Sequence, residues 1–222
     1  MRYFITGTDT DCGKTLITLA LMQLSIDAGL RTAGFKPVAA GAQSTAQGPR
    51  NDDALALQAA SNLALAYPQV NPYCFAPPIA PHIAARQAGV KVRFETLAQA
   101  LRELEQQADN VFIEGAGGWR VPLNAHQDMA DLCVHLDAAV ILVAEARLGW
   151  INHTLLSIES ILQRGVNCAG WIVNQRRPQK MSHFQDNIKA LEERIPAPLL
   201  GIVPHVKHSS QACRYLGLPG KS

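Results

Sequence analysis

The sequence predicts an α/β fold: a single domain built on an open, mostly parallel sheet with helices on both faces. Three observations lead there. Short, wholly apolar runs such as Val140-Ile141-Leu142-Val143 recur along the chain, as expected of parallel strands buried on both faces. Stretches with apolar residues at helical spacing separate them. The first apolar run, Tyr3 to Ile5, enters a loop of small residues that opens directly into a helical pattern from Thr15 to Leu24. With 222 residues, 48% of them hydrophobic, the chain can bury a full core as one domain over residues 1–222.

Composition excludes several function classes. A net charge of +2 argues against a nucleic-acid footprint, which needs a clustered basic face. The most basic short segment, Arg176-Arg177-Pro178-Gln179-Lys180, reads as a solvated loop. Five cysteines, Cys12, Cys74, Cys133, Cys168 and Cys213, are scattered and never in C-x-x-C spacing, so neither a disulfide framework nor a zinc site is expected. The N-terminus lacks a signal-peptide pattern, and no apolar run approaches the roughly 18 residues that span a bilayer. A soluble chain in a reducing cytoplasm, without membrane partners, is the expectation.

The loop at Gly7-Thr8-Asp9-Thr10-Asp11-Cys12-Gly13-Lys14-Thr15 is a variant phosphate cradle, with Thr8 where the usual pattern has its first glycine. A polyphosphate needs converging backbone N–H groups, the positive end of a helix and a nearby cation. Gly13 permits close approach, Lys14 supplies charge and the Thr15 hydroxyl can reach Mg²⁺. The domain is therefore expected to resemble P-loop NTPases. At Cys12, the helix start and Lys14 favour a thiolate, whereas Asp11 opposes one.

Gly29 stops the first helix, and Thr32 to Val38 reads as one short strand that brings Lys36 to the carboxyl edge beside the loop. Residues 39–50 are small and polar, a pattern that predicts a mobile loop over the site. Asn51-Asp52-Asp53 starts a helix, so Asp53 serves either as a first-turn acid or as a Mg²⁺ ligand. Five prolines between Tyr67 and Pro81 predict an extended connection without helix, followed by helices at 82–89 and 94–107. The run Val111-Phe112-Ile113 then ends at Glu114, from which position an acid holds Mg²⁺ directly or through water, and at the glycine-rich turn Gly115-Ala116-Gly117-Gly118. A helix starting near Gly149 to Asn152 has its N-terminus at the same edge. Strands ending at Asn174-Gln175 and before Pro204-His205-Val206, with a surface helix between them over 182–194, complete the pattern.

Taken together, these pieces resemble the dethiobiotin synthetase family, ATP-dependent enzymes of the P-loop class. The match runs in family order through the loop, Gly34-Phe35-Lys36-Pro37-Val38, Asn51-Asp52-Asp53-Ala54-Leu55, Pro81-His82, Glu114 to Gly118, Leu148-Gly149 with Ile151-Asn152-His153, and Ala169-Gly170-Trp171 with Asn174. The resemblance implies Mg²⁺- and ATP-dependent closure of a ureido ring on 7,8-diaminononanoate with CO₂ or bicarbonate, on a homodimer. Lys36, Lys14 and Thr10 would be catalytic, and Thr15, Asp53 and Glu114 would hold the metal. Asp11, Cys12, Gly13, Lys14, Thr15 and Leu16 would carry the nucleotide, with Asp53, Glu114, Gly115, Ala116 and Gly117 alongside. Asn174 would meet the adenine, near Gln175, Pro204, His205 and Val206. Substrate would contact Thr10, Lys36 and Ala40, and its distant carboxylate would meet Gly149, Trp150, Ile151 and Asn152 of the partner subunit.

Two departures stand out: Ala40 where the family often has a serine, and Gln175 where an acid is common. A cobyrinate-type ligase shares the loop but normally brings a glutaminase domain. A partition-type ATPase switch is the non-metabolic alternative. That class usually carries a second lysine where this loop has Asp9.

Overall fold

The computed structural model describes residues 1–179 and 181–220. Strand β1 (Arg2–Gly7) leads through the glycine loop into α1 (Lys14–Asp27) and β2 (Thr32–Phe35). Three short strands follow, β3 (Val38–Ala40), β4 (Gln43–Thr45) and β5 (Gly48–Arg50). Next come α2 (Asp52–Ala60), α3 (Tyr67–Val70), β6 (Tyr73–Phe75), α4 (Pro81–Gln87) and α5 (Phe94–Glu105). The second half alternates β7 (Asn110–Glu114), α6 (Met129–His135), β8 (Ala139–Glu145), α7 (Trp150–Gln163), β9 (Cys168–Asn174), α8 (Phe184–Glu192) and β10 (Leu199–Val203), then closes on α9 (Ser209–Ala212) and a 3-10 turn (Cys213–Tyr215).

Six of these strands form one sheet in the order β10-β9-β8-β1-β7-β2, with every neighbouring pair parallel. Every residue of β7 is buried, as are all but the ends of β1 and β8, so side chains pointing to either face meet protein. Helix α5 turns Leu97, Leu101 and Leu104 inward at helical spacing, and all three are buried. The sheet register places Ile5 beside Glu114, Gly7 beside Val143 and Glu145 beside Asn174. The carboxyl ends of the strands, and the loops that leave them, thus share one edge. β1 is central there, with β7 on one side and β8 on the other.

Four local readings are corrected. The strand expected over 32–38 is two: β2 ends at Phe35, because Pro37 has no N–H to continue the ladder. The Lys36 N–H instead bonds the Val70 carbonyl at 2.8 Å, and β3 pairs with β6 in a separate small sheet. Residues 39–50 are structured: β4 and β5 form an antiparallel hairpin. The 67–81 connection contains helix α3, which tolerates Pro68 because a first-turn residue needs no intrahelical N–H bond. Helix α6, absent from the sequence reading, starts at Asp128 and Asp131, whose side chains cap each other's backbone N–H groups at 2.9 Å. Among the described residues, no helix is long and apolar enough to cross a membrane.

Candidate nucleotide and substrate site

The glycine loop joins β1 to α1, and its shape has two supports. Gly13 adopts φ 95°, a left-handed conformation, and a Cβ there would lie 2.0 Å from the Asn174 Nδ2. That amide is close because it donates to the Cys12 carbonyl at 2.9 Å, pinning the loop from the end of β9. Gly115 donates its N–H to the Ile5 carbonyl at 3.0 Å, so the turn after β7 is fixed beside the loop. The Lys14 Nζ donates to the Asp9 carbonyl at 3.1 Å and arches over the loop it follows. Thr10 and Asp11 are exposed at the loop's crest, whereas Leu16 faces back from α1 toward the core.

Beside this cradle lies a dense ionic cluster. The Lys36 Nζ is 2.7 Å from Glu114 Oε1 and 3.0 Å from Asp53 Oδ2. The Thr15 hydroxyl is 2.9 Å from both Asp53 Oδ1 and Glu114 Oε1. Lys36 and Glu114 are buried, at 4% and 0% exposure. Burial works against the Lys36 charge, but Glu114 and Asp53 outweigh it and hold the ammonium above the usual lysine range. Burial likewise opposes the Asp53 carboxylate, yet Lys36 and the Thr15 hydroxyl bring it below its ordinary value. Thr10, Asp11, Gly13, Lys14, Thr15, Lys36, Asp53, Glu114, Gly117 and Arg176 line one cleft of about 260 Å³.

The donor set suits a hard cation. Glu114 Oε2 is buried without a hydrogen-bond partner, while Oε1 of the same carboxylate is shared by Thr15 and Lys36. A hydroxyl and two carboxylates are oxygen donors only, and Mg²⁺ takes one or two carboxylates with its remaining positions filled by phosphate and water.

The remaining expected residues have these surroundings. Cys12 is fully buried and its thiol is pushed up by burial, with Lys14 opposing, so the reactive thiolate suggested by the helix start is overturned. The Trp150 side chain stacks on Phe184 inside its own chain, and the Trp150 backbone N–H donates to the Arg147 carbonyl at 3.0 Å. Gly149, Ile151 and Asn152 lie with it at the opening turn of α7. Asn174 is buried at 4% exposure, with its Nδ2 engaged on the loop. Gln175 donates its N–H to the Val203 carbonyl at 2.8 Å, aligning it with Pro204. His205 is exposed and its Nδ1 lies 2.6 Å from the Arg176 carbonyl, while Val206 packs against the core. Ala40 ends β3 and accepts from Asn51 Nδ2 at 3.4 Å.

Two cations escaped the sequence reading. Arg176 was assigned to a solvated basic loop, but its guanidinium donates to the Asp11 carbonyl and lines the cleft; Lys180, from the same segment, lies outside the described residues. Arg147 bridges to Asp9 at 2.7 Å, tying the approach to α7 to the phosphate loop. A basic residue two positions past a strand's carboxyl end was the available signal for both.

Fold and site together define a P-loop protein of the nucleoside-triphosphatase class. A family model described as an AAA domain matches residues 1–212. The ATP-dependent dethiobiotin synthetase BioD of Pseudomonas aeruginosa (strain UCBPP-PA14) is 52% identical over 211 residues, covering 95% of this chain and 92% of the relative. BioD 1 of Escherichia coli (strain K12) is 48% identical over 203 residues, covering 91% and 90%. The chain belongs to the dethiobiotin synthetase family of ATP-dependent ligases. Solved structures of cell-division ATPases share the fold: the MinC:MinD complex of Aquifex aeolicus aligns with TM-score 0.59 at 14% identity, over 98% of this chain and 86% of that one. MinD from Pyrococcus furiosus aligns with TM-score 0.53 at 16% identity, over 92% and 84%.

Proposed function

We propose that residues 1–222 act as one domain that carboxylates and closes 7,8-diaminononanoate to dethiobiotin, consuming CO₂ and ATP and releasing ADP and phosphate. The observation that carries this reading is the cluster of Lys36, Asp53, Glu114 and Thr15 beside the Lys14 loop. One amine of the substrate adds CO₂ and loses a proton to give a carbamate. The γ-phosphoryl of ATP passes to a carbamate oxygen, and the second amine then attacks the carbonyl carbon, expelling phosphate and closing the ureido ring.

Each step accumulates negative charge on oxygen, and the residues meet that demand. Lys14 sits over the loop where the β- and γ-phosphates of a bound nucleotide would lie, with the first-turn N–H groups of α1 beneath. Lys36 is already charged, held so by two carboxylates, and can stabilise the carbamate and the phosphoryl oxygens without first taking a proton. Thr10, exposed at the loop crest, would hydrogen-bond the reacting groups. Thr15, Asp53 and Glu114 would hold Mg²⁺, which when bound neutralises the nucleotide oxygens. Asn174, Gln175, Pro204, His205 and Val206 form the edge where the base would rest, with Asn174 fixing the loop as well.

A homodimer is part of the proposal. Leu148, at 94% exposure, and Leu156, at 56%, are exposed apolar side chains on and before α7, and Gly149 starts that helix. A second copy covering this face would bring the α7 N-terminus of one subunit to the substrate carboxylate in the other. The metabolic reading is separated from a partition-type switch by incubating the protein with 7,8-diaminononanoate, bicarbonate and MgATP. Mass spectrometry should find dethiobiotin, with ATP turnover dependent on the diamine. ATP turnover indifferent to the diamine, with no ring product, would reject the synthetase.

A further inference from the structure

Lys36 and Asp53 approach the site from separate segments, and two buried side chains, Tyr67 and Asn71, join them. Asp53 lies in the first turn of α2, whose N-cap is Asn51. The Asn51 N–H donates to the Tyr67 hydroxyl oxygen at 2.8 Å, in a buried setting. The same hydroxyl donates to Asn71 Oδ1 at 2.9 Å. The Asn71 carboxamide in turn donates to the Lys36 carbonyl at 2.6 Å and to the Tyr73 carbonyl at 3.0 Å. Tyr67, Asn51 and Asn71 are all buried, at 7%, 8% and 3% exposure.

We infer that Tyr67 is a positioning residue, whose hydroxyl fixes the Lys36 backbone relative to the α2 start that carries Asp53. The inference rests on the functional reading above and adds to it a residue that touches neither substrate nor nucleotide. Three features favour an aligning role over simple packing. The hydroxyl sits at the junction of two chains of hydrogen bonds and serves both at once, as acceptor from one and donor to the other. Burial, with Cys74 Sγ 3.4 Å away, pushes the phenol well above its ordinary range, so the O–H stays available as a donor. The ring is also fixed from its face, since the Arg50 guanidinium carbon lies 4.2 Å from its centroid. The other backbone group of Lys36 is held by the same segment, through the bond from its N–H to Val70. The lysine's main chain thus takes its place from residues 67–71, while its side chain answers to Glu114 and Asp53.

The test uses Tyr67→Phe, which keeps the ring and removes one oxygen, and Asn71→Ala, which removes the branch to Lys36 together with the bond to the Tyr73 carbonyl but leaves the Asn51 N–H on the Tyr67 hydroxyl. For Tyr67→Phe, kcat for dethiobiotin per folded site should fall about tenfold, the size of one lost buried hydrogen bond acting on alignment. The Mg²⁺ half-saturation should rise about threefold, because the α2 start loses its anchor. Asn71→Ala should lower kcat similarly while leaving the Mg²⁺ requirement within about twofold of wild type. The double variant should be little worse than Tyr67→Phe alone, since both cut one chain. A role in packing alone would lower the melting temperature of Tyr67→Phe with kcat per folded site and Mg²⁺ half-saturation unchanged, and that result overturns the inference. If the wild type makes no dethiobiotin, the functional reading fails separately. The Mg²⁺ dependence of ADP binding by calorimetry then decides the role of Tyr67: a rise in Tyr67→Phe supports it and no change rejects it.

Discussion

Replacing Lys36 with methionine gives a quantitative test of how the ionic cluster is held together. The side chains are similar in length, so the change mainly removes the ammonium between Glu114 and Asp53. The two carboxylates differ in what happens next. Asp53 has a side chain at 42% exposure and can be rehydrated, but Glu114 has none and keeps only the Thr15 hydroxyl. Breaking a buried pair and stranding one charge costs about 3–5 kcal/mol. For a domain of this size each kcal/mol lowers Tm by about 2–4 °C, which gives a fall of roughly 6–20 °C. Adding Glu114→Gln to Lys36→Met removes the stranded charge and should recover more than half of that loss. Thermal unfolding of the two single variants and the double variant is the assay. A Lys36→Met protein that melts within about 3 °C of wild type, or a double variant no better than Lys36→Met, would refute the claim that the lysine neutralises a buried carboxylate.

Other outcomes follow from particular contacts. Gly13→Ala combines a φ of 95° with a Cβ 2.0 Å from Asn174 Nδ2, and should weaken ADP binding by about tenfold or more in calorimetry. Iodoacetamide on the native protein should leave Cys12 unmodified in peptide mapping, since the thiol is fully buried and raised by burial. Asp109, hydrogen-bonded through the side chain and backbone of Arg31, is held down to about 2. Its folded-state value lies below its unfolded one, so its contribution is present above the ordinary aspartate range and is lost as pH falls toward about 2. Melts across that range should lose this component in Asp109→Asn. After random subunit exchange between Lys36→Ala and Gly149→Asp dimers, about a quarter of all sites should regain activity, because about half the dimers are mixed and each of those carries one whole site of its two. Confirmed subunit exchange without activity would place the whole site within one chain.

Much of the site was legible because its chemistry is local. Gly13-Lys14-Thr15 after a strand, Glu114 ending an apolar run and Lys36 after a short strand each pair a residue type with a position, and the fold brings all three to one cleft. Asp53 illustrates the limit. Its spacing from Asn51 identifies a helix start, and capping is what Asn51 does, yet the bond from Thr15 to Asp53 spans 38 positions that no local pattern reports. The break at Pro37 was present in the sequence but was overridden by the apolar run around it. The hairpin over 43–50 was missed for a related reason: its residues are small, polar and largely exposed, so its strand pairing leaves no hydrophobic alternation. Arg147 and Arg176 read as ordinary surface charges until the loop they reach is placed beside them.

The bond from Asn174 to Cys12 also bears on the order in which this protein becomes able to bind a nucleotide. The phosphate loop is complete in sequence by residue 15, and short in span. Its Cys12 carbonyl nevertheless has its partner 162 positions away, on a strand that β8 separates from β1. During synthesis the motif emerges well before the residue that props it, 162 positions later. Pairing of β8 with β1 and of β9 with β8 must come between, and such distant parallel pairings are slow to form. The support of the anion cradle thus depends on distant pairings, although Gly13, Lys14 and Thr15, which name it, are contiguous.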